Sequence, residues 1–226
     1  MEWKVCITAA GKGTRIGPFT KVLNKALLPV KGKPAISWII EAYPEDIEIV
    51  FALGYLGPQL RTFVTAAYPN RKFTFVDVDN WDRHGAGPGY SLLCCKNHLH
   101  CPFVFATVDA MVSGKVPPPD ENWFGVAEVN DTTRFCSVKV DAHGKVARID
   151  DKVKTDNRHA FIGIAGIKDD KAFFEALSDR TLIAGEHQVS NGFQALLKKG
   201  LAIRVFDWYD TGTAETYEDT CKRWKG

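Results

Sequence analysis

Residues 3–15 read WKVCITAAGKGTR, and residues 25–30 read KALLPV. The first stretch begins as an apolar run that ends in two alanines, which is typical of a buried parallel strand. It then breaks into a glycine turn, whose backbone can approach a ligand and direct N–H groups at phosphate oxygens. Arg15 adds a planar, permanently charged group, and Lys25 adds a compact second cation. The strand, the turn and the two cations together predict a site for a triphosphate.

Two other glycine loops are excluded by their spacing. The Walker loop requires Gly-x-x-x-x-Gly-Lys-Ser/Thr, and the chain contains no such run. Gly11, Gly13 and Gly17 follow the spacing G-x-G-x-x-x-G and precede a proline, whereas the dinucleotide loop needs G-x-G-x-x-G at the start of a helix. Gly11 and Gly13 alone would equally suit an ordinary turn after a strand, so the interpretation depends on the later motifs.

The composition restricts the class of protein and its partners. The chain has 29 basic and 27 acidic residues without a basic run, which argues against a nucleic-acid partner. No apolar run approaches the roughly 20 residues of a membrane span, and because the predicted first core strand lies at the start of the sequence, we expect no signal peptide. The cysteines form no Cys-x-x-Cys pair, so we expect free, buried thiols in a reducing cytoplasm. They are Cys6, Cys94, Cys95, Cys101, Cys136 and Cys221.

Alternating strands and helices predict an α/β fold with a Rossmann-like mixed sheet flanked by helices. The expected strands lie near 3–9, 47–53, 72–77 and 102–108, and the expected helices near 34–43, 57–67 and 88–97. Pro34 is expected at the first helical position. After about 112 we expect a small β-rich subdomain, with strands at 123–129, 135–140, 145–149, 160–167 and 201–207 and helices at 169–178, 189–199 and from 214. We expect one domain over 1–226, with two halves at about 1–112 and 113–226.

The motifs resemble the nucleotidyltransferases that activate sugar phosphates, whose pattern is roughly A-A-G-x-G-T-R…K-x-L-L-P-V-x-x-K-P. The match continues through the strand that ends in Asp109, the run 161–167 and the sequence WYDTGT at 208–213. The resemblance implies a nucleotide half at about 1–112 and an acceptor half at about 113–226, with a small β-rich, acceptor-binding subdomain. Departures lie in the acceptor half, where Val153 replaces a proline and 163–166 read GIAG. They weaken the case for a common pyranose 1-phosphate as acceptor. The resemblance implies the nucleotidyltransferase fold, which is GT-A-like, and the use of Mg²⁺.

The resemblance also assigns roles to residues of this chain. Arg15 and Lys25 are the expected catalytic cations, and Lys25 is preferred over Lys21 because it directly precedes the Leu-Leu-Pro-Val segment. Asp109 and Asp210, which follow or end strands, are the expected metal ligands. The expected nucleotide-binding residues are Ala9, Ala10, Gly11, Gly13, Thr14, Asn80 and Gly87. The expected acceptor-binding residues are Gly125, Lys152 and Glu186.

The first function hypothesis is a cytoplasmic nucleotidyltransferase that joins a pyrimidine NTP, preferably CTP, to a sugar- or polyol-phosphate. The product would be an NDP-activated precursor for capsule or other surface polysaccharide. One alternative is a uridylyl- or guanylyltransferase for a hexose 1-phosphate, and another is a cytidylyltransferase for a phosphocholine- or phosphonate-like acceptor. The non-enzyme alternative is a nucleotide-sensing regulatory domain. The chain could also be one module of a larger protein.

Overall fold

A computed structural model describes residues 2–179 and 181–225. The strands are β1 (Lys4–Ala9), β2 (Pro29–Val30), β3 (Lys33–Pro34), β4 (Ile49–Leu53), β5 (Phe73–Asp77), β6 (Phe103–Thr107), β7 (Ala110–Val112), β8 (Trp123–Glu128), β9 (Cys136–Val140), β10 (Val146–Asp151), β11 (His159–Ile167), β12 (Leu182–Ile183), β13 (Glu186–His187), β14 (Ala202–Val205) and β15 (Trp208–Asp210). The α-helices are α1 (Ala35–Glu41), α2 (Gly57–Ala67), α3 (Pro88–Cys94), α4 (Asp170–Leu177), α5 (Ser190–Leu197) and α6 (Ala214–Arg223). Within these described ranges, no helix has both the length and the apolar character needed to cross a membrane.

The central element is a nine-stranded mixed sheet, which confirms the predicted α/β class. Its main path runs β10-β9-β11-β6-β1-β4-β5, and β8 and β14 extend from β11. The four strands β6, β1, β4 and β5 are parallel to one another, whereas β11 is antiparallel to β6. Parallel strands place their carboxyl ends at one edge of the sheet, where open α/β sheets bind ligands.

Apolar residues cover both faces of the sheet, because side chains alternate along each strand. In β1, Val5, Ile7 and Ala9 join one buried cluster, which includes residues of α1 and α2. Cys6 and, just after the strand, Ala10 join the other cluster, which includes residues of α3, α4 and α5. The second face is therefore the one from which Ala10 can reach a ligand at the sheet edge.

The structure differs from the sequence expectation at short, non-local pairings. Pro34 ends β3, and α1 begins one residue later at Ala35, so the expectation that Pro34 is the first helical residue is wrong. The short strand β7 pairs antiparallel with β15 and brings Asp210 opposite Ala110. This pairing joins segments about a hundred residues apart, and no local pattern indicates it.

Glu48 holds the amino ends of three strands together. Its carboxylate accepts a hydrogen bond of 2.7 Å from Thr74 and lies 2.8 Å from Lys72 Nζ and 3.3 Å from Lys4 Nζ. Burial alone would raise the pKa of Glu48, but Lys72, Thr74 and Lys4 lower it from 4.5 to about 2. The folded state therefore binds this proton less tightly than the unfolded state does.

Replacing Glu48 by glutamine should lower the free energy of unfolding at pH 7 by about 1–3 kcal/mol. Because the folded pKa is depressed, the contribution of the carboxylate is present above pH 4.5 and is lost as the pH falls towards 2. Urea unfolding of both proteins across this pH range measures the difference. Asp77→Asn is the control, since the Asp77 side chain is 75% exposed in its pair with Arg61. A difference between Glu48→Gln and wild type that does not shrink in acid would contradict this account.

Candidate active site

A cleft of about 630 Å³ opens beyond the carboxyl ends of β1 and β6. Its lining from the first half of the chain consists of Thr8, Ala10, Gly11, Arg15, Lys25, Trp81, Ala86, Gly87, Pro88, Ser91, Phe105, Thr107 and Asp109. Its lining from the second half consists of Arg134, Phe135, Cys136, Asp151, Lys152, Phe161, Ile162, Gly163, Glu186, Gln188, Val189, Ser190, Phe193, Trp208 and Asp210. The cleft thus brings together the sequence motifs of both predicted halves.

The loop after β1 delivers Arg15 and Lys25 to the cleft. Gly13 has a φ of 67° in the left-handed region, and a Cβ there would lie 3.0 Å from Lys25 Cδ, so glycine lets the loop pack on the lysine. Asn24 fixes the backbone before Lys25, since its Oδ1 accepts from the Ala26 N–H at 3.0 Å and its Nδ2 donates to the Tyr55 carbonyl at 3.0 Å. Lys21, the rival cation, is exposed and lies outside the cleft lining.

The two candidate metal ligands converge through the β7–β15 pairing. The Thr211 N–H donates to the Asp109 carbonyl at 3.0 Å, and the Gly212 N–H donates to Asp210 Oδ1 at 2.8 Å. A Cβ built on Gly212 would lie 2.9 Å from Asp210 Oδ1 and 3.5 Å from Asp109 Oδ2. Both carboxylates therefore border one small space that a side chain at 212 would crowd.

Lys25 Nζ donates to Asp109 Oδ2 at 2.8 Å, with both side chains largely buried. Burial would raise the pKa of Asp109, but Lys25, the Thr107 hydroxyl and Arg15 lower it to about 2. Burial and the nearby Asp109 carboxylate raise the pKa of Asp210. A raised pKa at one carboxyl group beside a second, ionised carboxylate is expected where two carboxylates share a site.

The donor set at Asp109 and Asp210 fits a magnesium ion. Mg²⁺ prefers hard oxygen ligands and usually takes one or two carboxylates together with substrate phosphates and waters. Within residues 2–179 and 181–225, no group of three or more His, Cys, Asp or Glu side chains is placed to hold a metal. Phosphate oxygens and waters would have to complete the coordination of an ion at this pair.

The second half of the chain contributes an ion pair and aromatic side chains to the cleft. Lys152 Nζ lies 3.9 Å from Glu186 Oε2, and Ser190 Oγ donates to Asp151 Oδ2 at 2.6 Å. The rings of Phe161 and Phe193 pack with centroids 5.5 Å apart. Lys152 and Glu186, both predicted from the sequence, thus lie together with polar and aromatic groups that could contact an acceptor.

Several predicted nucleotide-binding residues lie outside the cleft lining. Ala9 points into the opposite core cluster, because alternation along β1 turns its side chain away from Thr8 and Ala10. Gly13 lies behind Lys25, and Thr14 is exposed on the first turn of a 3₁₀ helix. Asn80 is exposed in a turn with a φ of 53°. Its neighbour Trp81 lines the cleft instead.

Gly125, the third predicted acceptor residue, also lies outside the cleft lining. It is buried in β8, and a Cβ there would lie 2.5 Å from the Ile164 carbonyl oxygen of β11 and 3.3 Å from the Phe206 ring. The glycine is needed for close contact between strands, so the structure gives it a packing role. The glycine of β11 that reaches the cleft is Gly163, whose φ of 87° lies at a register shift in the strand.

Sequence reasoning missed other lining residues. Thr107 ends β6 beside Asp109, and its position at a strand end could have indicated it. Trp208 also lines the cleft, directly before the Tyr-Asp of β15. Arg134 carries no local signal, because its arrival at the cleft depends on pairings between distant strands. Phe161 was indicated only as part of the run 161–167 that the family resemblance covers.

Comparisons with known proteins relate the chain to NTP transferases. The model of the MobA-like NTP transferase domain family matches residues 5–113. The bifunctional protein GlmU of Methanococcus aeolicus is 26% identical over 216 residues, which cover 91% of this chain and 50% of that protein. The GlmU protein of Methanocaldococcus jannaschii is 26% identical over 215 residues, with the same coverage. The chain thus spans about half the length of these curated relatives.

Solved structures of nucleotidyltransferases share the fold. A UDP-glucose pyrophosphorylase complexed with UDP-glucose superimposes with a TM-score of 0.81 at 19% identity and covers 99% of this chain and 98% of its own. A CTP:phosphocholine cytidylyltransferase from Streptococcus pneumoniae gives a TM-score of 0.75 at 20% identity, covering 98% and 99%. Residues 5–113 are therefore similar to the MobA-like NTP transferase domain family, and the described chain has the fold of the sugar-phosphate nucleotidyltransferases, as the resemblance of the motifs implied.

Proposed function

We propose that the chain is a nucleotidyltransferase that joins a pyrimidine NTP, preferably CTP, to a sugar- or polyol-phosphate and releases pyrophosphate. The product would be an NDP-activated precursor for surface polysaccharide. One observation carries the proposal: a single cleft combines Gly11 and Arg15 of the glycine loop, Lys25, the Asp109–Asp210 pair and the Lys152–Glu186 pair. The first three groups suit a metal-bound triphosphate, and the last pair suits a phosphorylated acceptor.

The reaction would be a direct displacement at phosphorus. An oxygen of the acceptor phosphate forms a bond to the α-phosphorus, and the bond from that phosphorus to the bridging oxygen of pyrophosphate breaks. Both reactants are anions, so the main tasks are positioning and neutralisation of charge. Arg15 and Lys25 would hold the triphosphate and offset charge on the α-phosphate and the leaving pyrophosphate. Mg²⁺ held by Asp109 and Asp210 would supply further positive charge to the phosphates.

The lining near the glycine loop supports a pyrimidine. Ala10, Gly11, Ala86 and Gly87 present small side chains or backbone, which suits a narrow slot. Ser91 Oγ donates to the Gly87 carbonyl at 3.2 Å, so the lone pairs of its oxygen remain available as acceptors. Cytosine presents an amino donor at position 4, where uracil presents an acceptor. Ser91 would therefore favour cytosine over uracil when a base binds against this loop.

Ser91→Ala should reduce the ratio of kcat/KM for CTP to kcat/KM for UTP. Loss of one buried polar contact changes discrimination by about 1–3 kcal/mol, or about 5- to 150-fold. The measurement is kcat/KM with each nucleotide against one working acceptor. An unchanged ratio would mean that Ser91 does not contribute to the choice between CTP and UTP.

The lining also favours a second acceptor class, a phosphocholine-like ammonium phosphate. Phe161 and Trp208 offer aromatic surfaces in the cleft, and Asp151 and Glu186 offer negative charge. Aromatic faces and carboxylates both attract a cation. A sugar or polyol would instead need a hydrogen-bonding partner for most of its hydroxyl groups.

The deciding experiment measures pyrophosphate release with four NTPs against a panel of hexose 1-phosphates, polyol phosphates, phosphocholine and phosphonates. Turnover with CTP and a polyol or sugar phosphate supports the first proposal, and turnover with phosphocholine selects the second acceptor class. A UTP preference would contradict only the cytidylyl part. A preference for ATP or GTP would contradict the pyrimidine assignment. Nucleotide binding without turnover against the whole panel would favour a sensing domain.

A further inference from the structure

The glycine loop on the nucleotide side is joined directly to a segment on the acceptor side. Gly85 forms a parallel β-bridge with Glu186, and the His187 N–H donates to the Gly85 carbonyl at 3.2 Å. Sequence analysis assigned Gly87 to the nucleotide and Glu186 to the acceptor. The structure places these two sets of residues against each other, so one cannot shift without the other.

Close contact with residues 186–188 explains why Gly87 and Gly89 are glycines, and backbone conformation explains it only in part. Gly87 has a φ of 175°, which any residue adopts. A Cβ at Gly87 would nevertheless lie 2.7 Å from the His187 carbonyl oxygen and 3.1 Å from Glu186 Cβ. A Cβ at Gly89 would lie 2.8 Å from the carbonyl carbon and oxygen of Gln188. Non-bonded carbon atoms do not approach this closely, so the missing side chains allow α3 to begin directly against residues 186–188.

Glu186 is restrained from three directions. Gln188 Nε2 donates to Glu186 Oε2 at 2.8 Å, and Lys152 Nζ lies 3.9 Å from the same oxygen. The adjacent His187 is 1% exposed, and its Nε2 lies 2.8 Å from the Leu177 carbonyl oxygen. The start of helix α3 therefore packs against residues 186–188 on one side, and the buried His187 holds the same residues on the other side.

We infer that Gly89 and Gln188 are positioning residues for the acceptor, and that both act through Glu186. Gly89 does not line the cleft, so its influence on a bound molecule must pass through the backbone of residues 186–188. Gln188 itself lines the cleft, and it orients the Glu186 carboxylate by its hydrogen bond. Small displacements of a group that positions a reactant have large effects on productive binding. This inference rests on the proposed function, because it concerns the acceptor of that reaction.

The test compares Gly89→Ala and Gln188→Ala with wild type. Gly57→Ala is the matched control, since Gly57 begins α2 outside the cleft and the atom nearest to a Cβ there would be Leu53 Cβ at 3.0 Å. We expect the acceptor KM to rise at least about tenfold in Gly89→Ala and about threefold or more in Gln188→Ala. The Kd for NTP, measured by calorimetry without acceptor, and kcat at saturating acceptor should stay within about twofold to threefold.

The outcomes separate the inference from the proposed function. If the wild-type chain shows no turnover with any pair of substrates, the proposed function is contradicted, and the inference is overturned as well. Wild-type turnover with an unchanged acceptor KM in the variants overturns the inference alone. A Kd for NTP that weakens as much as the acceptor KM also overturns it, because α3 would then have moved instead of residues 186–188. If Gly89→Ala fails to fold, Gln188→Ala decides by the same criteria.

Discussion

Asp109→Asn and Asp210→Asn should each lower kcat by about 10²- to 10⁴-fold, which corresponds to several kcal/mol of transition-state stabilisation. Each change removes one of the two carboxylates that border the space at Gly212. Asparagine keeps an oxygen that can still accept the Gly212 N–H, which bonds to Asp210 Oδ1 at 2.8 Å. The fold should therefore survive, and thermal unfolding of both variants checks this.

Asp82→Asn is the matched control for these substitutions. Asp82 is exposed, pairs with Lys12 at 3.6 Å and lies outside the cleft lining. Its asparagine variant should keep near wild-type turnover. If Asp109→Asn or Asp210→Asn turns over at nearly the wild-type rate with saturating Mg²⁺, the proposed metal role of that residue is wrong.

Lys25→Ala should lower kcat by about 10²- to 10³-fold and weaken NTP binding much less. The reason is that the ammonium would act where negative charge develops, on the α-phosphate and the leaving pyrophosphate. Lys25 also occupies Asp109 Oδ2 at 2.8 Å. Removal of this competing cation should tighten the binding of Mn²⁺ to the nucleotide-free chain severalfold, while turnover falls.

Lys21→Ala is the control for both effects, because Lys21 is exposed and does not line the cleft. Steady-state kinetics and titration of Mn²⁺ by electron paramagnetic resonance give the two readouts. Equal losses of kcat in the two lysine variants, or a loss only in Lys21→Ala, would show that the wrong lysine was chosen. Unchanged Mn²⁺ binding in Lys25→Ala would mean that Lys25 does not compete for the Asp109 carboxylate.

Local sequence patterns predicted most of the fold. Neighbouring residues alone indicate the strand β1, the start of α2 at Gly57 and the end of α5. The observed bounds of these elements agree with the predicted bounds within a few positions. What local patterns could not predict is pairing over long distances. The ladder of β7 with β15 brings Asp210 to Asp109, and only the family resemblance indicated that these residues meet.

The same distinction explains the site. Arg15, Lys25 and Gly11 lie within one continuous motif, and the structure places all three in the cleft. Ala9 belongs to that motif as well, yet the alternation of side chains along β1 sends it to the opposite core. Gly125 resembled a site glycine, but its neighbour is the Ile164 carbonyl of β11, which sequence alone does not reveal.

The most direct test of the central claim follows the phosphorus atoms of the nucleotide. The chain is incubated with Mg²⁺, a working acceptor phosphate and either α-³²P- or γ-³²P-labelled CTP, or the NTP that the panel selects. Direct displacement at the α-phosphorus predicts that the α-label appears in the acceptor-linked product and the γ-label in pyrophosphate. Release of the γ-label as inorganic phosphate, or its transfer to the acceptor, would contradict the proposed nucleotidyl transfer.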